Sequence, residues 1–172
     1  MGRRHIVLVG LPGAGKSSAG RILAGLLETS LVDLDDTIVR ETGLSIPELF
    51  AGRGEPAFRD LERAAMRRAL AEEPHVIAPG GGWAAQPGNI EDAEPRALLV
   101  YLSVTPEVAA ARLAEDRDRP LLQGDPYRRL EQLLHERERC YRLAGFEVVT
   151  DAMTPNRVAE ATAVLARTYA GW

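Results

Sequence analysis

Residues Gly10-Leu11-Pro12-Gly13-Ala14-Gly15-Lys16-Ser17 carry the spacing G-x-x-x-x-G-K-[ST], a pattern suited to gripping a polyphosphate. Glycines at these positions let successive backbone N–H groups turn toward one anion. A helix opening at the end of the loop adds its positive dipole end. Lys16 can reach β- and γ-phosphates, and the Ser17 hydroxyl can ligate Mg²⁺. The chain has 20 arginines and a single lysine, and that lysine is Lys16. A flexible point charge is kept at the one place where a planar fork is least wanted. Gly13, Ala14, Gly15, Lys16, Ser17 and Ser18 are therefore expected to bind nucleotide phosphates.

The other acids and arginines narrow the chemistry. A guanine-specific switch needs N-K-x-D, which a chain whose only lysine is Lys16 cannot supply. The strands expected at 76–78 and 98–102 end without an aspartate, so the acid typical of motor proteins is missing there. Acids lie instead in Asp33-Leu34-Asp35, at the end of a short strand. Strand alternation is expected to send both carboxylates to one side, beside the strand that feeds the phosphate loop. One could hold a metal-bound water while the other faces an acceptor. A carboxylate base suits an alcohol acceptor, whose proton must leave during transfer. The competing role is an N-cap for the next helix, from Asp33, Asp35 or Asp36.

Arg59 and Glu62 stand three residues apart, flanking an expected buried stripe of Phe58, Leu61, Ala65 and Ala69. As a surface pair they would matter little. Arg137 falls on the same helical face as Leu130, Leu133, Leu134 and Tyr141. A charge on an apolar stripe is costly unless it meets an opposite charge or lines a pocket, and a guanidinium there suits a carboxylate. The charged, glycine-ended segment 116–124 has the composition of a mobile lid, on which an arginine could close over the transferring phosphoryl group.

These residues need elements to hold them. Strands are expected over 5–10, 31–33, 75–78, 97–102 and 146–150. Helices should follow the phosphate loop, run in pieces to about 73 with breaks at Gly43, Gly52 and Gly54, and start again at Thr105-Pro106, Asp125-Pro126 and near Pro155. This alternation implies an α/β fold, a five-stranded parallel sheet sandwiched by helices, with ligands at the carboxyl ends of the strands.

At 172 residues one domain over 1–172 is expected. A net charge of -4 with scattered basic residues disfavours nucleic acid as a partner. The apolar runs 6–9 and 98–102 are too short to cross a bilayer, and Met1-Gly2-Arg3-Arg4 is not followed by a signal-peptide core. The single cysteine, Cys140, cannot form an intrachain disulfide, which favours a reducing, cytoplasmic setting. His5, His75 and His135 lack metal-ligand spacing.

Taken together the chain resembles the shikimate kinase family, within the nucleoside-monophosphate-kinase-like P-loop group. The resemblance rests on the phosphate loop, Asp33-Leu34-Asp35, Ile46-Pro47-Glu48-Leu49-Phe50, and Gly54-Glu55-Pro56-Ala57-Phe58-Arg59-Asp60-Leu61-Glu62. It continues through Gly80-Gly81-Gly82, Arg119-Pro120-Leu121-Leu122, and Arg137 four residues before Tyr141. It implies the P-loop kinase fold, with a helical substrate-binding segment at about 34–62 and a lid at about 114–125. It also implies ATP- and Mg²⁺-dependent phosphorylation of the shikimate 3-hydroxyl, on the route to chorismate and aromatic amino acids.

By the same resemblance Asp35 binds the reacting hydroxyl and is the candidate base. Arg59 and Arg137 hold the acceptor carboxylate, Glu62 orients Arg59, and Gly81 and Gly82 approach acceptor hydroxyls through the backbone. Ser17 ligates Mg²⁺, which Asp33 serves through water. Lys16 and Arg119 act on the phosphates, and adenine lies between Arg112 and Pro155. Small-molecule substrates and a monomer are the implied partners and state. Trp83-Ala84-Ala85-Gln86-Pro87 departs from the family pattern, and Trp83 is expected either to reshape the acceptor pocket or to pack on the sheet edge. The competing functions are a kinase for another hydroxy acid or polyol such as gluconate, and a silent nucleotide-binding module.

Overall fold

The computed structural model describes residues 2–115 and 124–172. Strand β1 (His5–Val9) is buried at every position, as an apolar run without alternation requires when both faces are covered. It pairs in parallel with β3 (Val76–Ala78) on one side and β4 (Ala97–Ser103) on the other. Strand β2 (Leu31–Asp33) lies beyond β3, and β5 (Phe146–Val149) beyond β4, giving the order β2-β3-β1-β4-β5. The acidic strand β2 is therefore not beside the phosphate-loop strand, contrary to expectation, because β3 is inserted between them. Three-residue strands carry no signal of which neighbour they take.

Helix α1 (Lys16–Leu26) carries the chain from β1 to β2. The later crossovers run the opposite way, through α2 (Leu34–Thr42), α3 (Ile46–Ala71), α4 (Asn89–Ala93), α5 (Pro106–Glu115) and α6 (Pro126–Tyr141). Right-handed crossovers place α1 on one face and the others on the opposite face. The last helix, α7 (Pro155–Tyr169), packs along α1. Reversal of direction beside β1 opens a crevice at the carboxyl edge of the sheet.

Caps set several helix starts. Ser45 and Glu48 form a capping box ahead of α3, Asp125 caps α6 before Pro126, and Thr154 caps α7 before Pro155. Gly43 ends α2 in a left-handed conformation, as expected. The break expected at Gly54 is a kink inside α3, with φ 80° and ψ 167°, whereas α3 runs through Gly52 without one. A 3-10 turn at Trp83–Ala85 and the short α4 were not foreseen. Their glycine- and proline-rich surroundings read as loop.

Candidate active site

The loop after β1 meets α1 at Gly15, whose φ of 86° is a left-handed conformation that a side chain resists. Lys16 Nζ donates to the carbonyl oxygens of Gly10 and Leu11, both at 2.9 Å. The ammonium thus lies against the loop that it follows.

Asp33 ends β2 and caps α2. Its Oδ1 accepts the N–H groups of Asp35 at 3.1 Å and Asp36 at 3.3 Å, while Oδ2 accepts the Ser17 hydroxyl. The capping role is real, and it leaves the second oxygen facing Ser17. Strand alternation does not aim the acidic pair, because Asp35 already lies in the first turn of α2. Among the described residues no three His, Cys, Asp or Glu side chains gather into a metal cage. A hydroxyl and a carboxylate oxygen at the foot of a phosphate loop do fit Mg²⁺, which keeps several waters and takes few protein oxygens beside substrate phosphates.

Asp35 meets Glu62 across Gly80. A Cβ added at Gly80 would stand 2.8 Å from Glu62 Oε1 and 3.2 Å from Asp35 Oδ1. Glu62, expected to flank the buried stripe, is only 1% exposed. Burial pushes its carboxyl up to about 7 against the pull of Arg59, and the nearby Asp35 charge adds to the rise. Arg59 Nη1 donates to Glu62 Oε2 at 2.7 Å, and Nη2 to Glu55 Oε1 at 3.1 Å. Burial works to lower the guanidinium pKa, but the two acids more than reverse this, so the group stays charged. The guanidinium lies on the glycine loop after β3, where a Cβ added at Gly82 would come within 2.3 Å of Nη2. At Gly81 an added Cβ would lie 2.8 Å from Cδ of Pro12.

Tyr141 holds this loop from behind, its hydroxyl donating to the Gly81 carbonyl at 2.5 Å. Burial pushes the phenol up to about 12, while Arg137 beside it acts in the opposite direction. Arg137 is half-buried and is not a wall of the main cavity. It stands near that cavity through Tyr141. The sequence reading treated Tyr141 as stripe and motif only, although a phenol among leucines signals a hydroxyl in need of a partner.

At the other end Arg112 donates to the carbonyl of Gly13 at 3.3 Å, to Thr150 Oγ1 at 3.1 Å and to the Thr150 carbonyl at 2.7 Å. Asp151 accepts from both the N–H and the hydroxyl of Thr105, which joins the ends of β4 and β5. Thr150 and Asp151 were missed, since isolated loop residues carry no spacing signal. One cavity of about 520 Å³ runs from Met153, Pro155 and Arg112, past Lys16, to Arg59 and Gly82. Arg119 and the greater part of the expected lid at about 114–125, namely 116–123, lie outside the described residues. Trp83 is 1% exposed and lines a second cleft, and it is not among the walls of this cavity.

The family model described as shikimate kinase matches residues 12–166. The shikimate kinase of Streptomyces coelicolor is 43% identical over 162 residues, covering 91% of this chain and 91% of that protein. That of Caldanaerobacter subterraneus is 37% identical over 158 residues, covering 91% and 92%. The solved shikimate kinase from Acinetobacter baumannii in complex with shikimate superposes with a TM-score of 0.90 at 35% identity, covering 96% of this chain and 94% of that one.

Proposed function

This chain belongs to the shikimate kinase family, and on that premise we propose how its residues divide the work of one phosphoryl transfer. The enzyme moves the terminal phosphoryl group of ATP to the 3-hydroxyl of shikimate, giving shikimate 3-phosphate and ADP in aromatic amino acid biosynthesis. The transferring group is spread over equatorial oxygens and in line between two others, so catalysis is positioning plus electrostatics. The loop amides from Gly13 to Ser18 cradle the phosphates, and Lys16 leaves the Gly10 and Leu11 carbonyls to follow the γ-phosphate. Arg112 and Pro155 flank the adenine, with Arg112 steadied by Thr150.

Ser17 would ligate Mg²⁺, and Asp33 would serve it through water. Bound there, the cation would supply neutralisation of charge on the phosphate oxygens. Arg59 and Arg137 hold the acceptor carboxylate, one side fixed by Glu62 and the other by its place beside Tyr141. The Gly81 and Gly82 backbone meets the acceptor hydroxyls, and Asp35 takes the proton of the attacking one. Arg119, outside the described residues, supplies a further positive charge to the transferring group. The chain acts as a monomeric single domain in the cytoplasm, the setting that its lone cysteine favours.

The observation that carries this division is the Asp35–Glu62–Arg59 chain across Gly80 and Gly82. It sets a carboxylate and a charged guanidinium on one cavity with the phosphate loop. An ADP-release assay with shikimate tests it. Turnover well above the shikimate-free ATPase rate is expected, and Asp35→Asn should lower kcat at least about 100-fold while ATP affinity stays within about threefold. Unchanged turnover in Asp35→Asn would remove Asp35 from the reaction.

A further inference from the structure

Trp83 is the departure in sequence that the phosphoryl transfer does not absorb. Its ring is 1% exposed, and its Nε1 is buried without an acceptor among the described residues. A buried donor left unpaired is costly and calls for an explanation. The same side chain lines a cleft of about 350 Å³ between α3, the 3-10 turn and α4, outside the cavity of the reaction.

Three kinds of group line that cleft. Met66, Leu70 and Trp83 make an apolar surface. Arg63 and Arg67 bring two cations from adjacent turns of α3. Arg63 is held in place: its Nε donates to Asn89 Oδ1 at 3.2 Å, and Asn89 Nδ2 donates to the Trp83 carbonyl at 2.9 Å. Its terminal nitrogens, and all of Arg67, have no acid partner among the described residues. Asp92 on α4 is the acid of the cleft.

A simple anion would leave Asp92 facing a like charge. A simple amine would meet two guanidinium groups, and a hydrocarbon would desolvate all three charges without pairing any. A zwitterion with an apolar body satisfies every wall. We propose that this cleft binds an α-amino acid with an apolar side chain. Its carboxylate lies against Arg63 and Arg67 beside Trp83, its ammonium against Asp92, and its side chain over Met66 and Leu70.

Occupancy reaches the acceptor. Trp83 directly follows Gly82, on which Arg59 lies, and Arg59 is one turn before Arg63 on α3. A ligand seated against Trp83 therefore shifts the affinity for shikimate, read as a change in its KM, and shikimate shifts the ligand's affinity by the factor by which its own affinity shifts. This coupling rests on the proposed role of Arg59; binding itself does not.

Trp172→Phe leaves Trp83 as the only tryptophan, so its fluorescence reports the cleft, and calorimetry on the unchanged chain repeats the measurement. Both are done with shikimate and ADP saturating, which keeps the reaction's carboxylate site filled. L-leucine and L-phenylalanine are expected to bind saturably. L-phenylalaninamide, without the carboxylate, and 3-phenylpropionate, without the ammonium, should each bind about tenfold more weakly. The exposed Arg67→Glu should abolish binding and leave basal turnover unchanged. Absence of saturable binding by both methods overturns the proposal, as does equal binding of the amide and the propionate, or full binding by Arg67→Glu. Binding with no change in the KM for shikimate upholds the site and removes its coupling to Arg59.

Discussion

Glu62 faces an arginine on one side and a second carboxylate on the other, so its proton has opposite effects on stability and on the site. Its ordinary value is 4.5 and its value in the fold is about 7. The folded chain thus holds the proton more tightly than the unfolded chain. The stability tied to that proton is complete below about 4.5 and is lost as pH rises through about 7. The ionised form, however, is the one that pairs with Arg59. Denaturant titrations across this window should show a falling contribution with pH that disappears in Glu62→Gln. The same variant should raise the KM for shikimate about tenfold, because the Arg59 guanidinium loses a charged anchor. A pH slope identical to that of the parent would mean that Glu62 does not titrate there. Arg137→Ala separates the other half of the grip: acceptor KM should rise about 10- to 100-fold with ATP KM unchanged, the loss of a charge-assisted contact. The resemblance named these roles, but spacing alone left the burial illegible. Arg59 and Glu62 at i, i+3 look like any surface pair, and only the packing of α3 under the glycine loop turns them into a buried one.

Helix α3 shows what an element contributes that its residues do not. Its two halves are set at an angle by Gly54, whose φ of 80° with ψ of 167° is open essentially to glycine alone. The kink turns the second half so that Arg59 and Glu62 face the loop after β3. Gly54→Ala should cost about 1–3 kcal/mol in stability from backbone strain, and it should also raise acceptor KM. Ser45→Ala is the control: loss of the capping box should cost about 1 kcal/mol with acceptor KM unchanged. Thermal melts together with steady-state kinetics on the two variants distinguish strain that aims the site from strain that merely weakens a helix. Equal KM changes in both would refute the aiming role. Helix starts were readable because Ser, Thr or Asp followed by Pro is local chemistry. The passage of the first half of α3 through Gly52 was not, since a glycine's tolerance inside a helix depends on what packs around it.

At the scale of the molecule the parallel sheet has two ends with different chemistry. The carboxyl edge collects the loops of every strand into the reacting cavity, a consequence of topology that alternating strands and helices make legible. The order of the strands and the placing of β3 between β2 and β1 were not, because they depend on contacts between distant segments. The amino edge carries the buried pair His5 and His75, with ring centroids 4.7 Å apart. His5 Nδ1 accepts the His75 N–H at 3.3 Å, and His75 Nδ1 lies 2.8 Å from the Glu73 carbonyl oxygen. Burial, and then the neighbouring His75, lower the pKa of His5 below its ordinary 6.5. The unfolded chain therefore takes up a proton that the folded one resists. This contribution to stability is intact above about 6.5 and is lost as pH falls through the lowered value, opposite in sign to that of Glu62. Below about 6.5 the two contributions therefore oppose one another, and the His5 slope partly masks that of Glu62. His5→Leu should uncover the Glu62 slope, so that denaturant titrations show a steeper fall in stability with rising pH below about 6.5. Because β1 separates the two edges, kcat and both KM values at pH 7.5 should stay within about twofold. A loss of turnover in a variant that is folded at that pH would show that the amino edge is coupled to the site and that the two ends of the sheet are not independent.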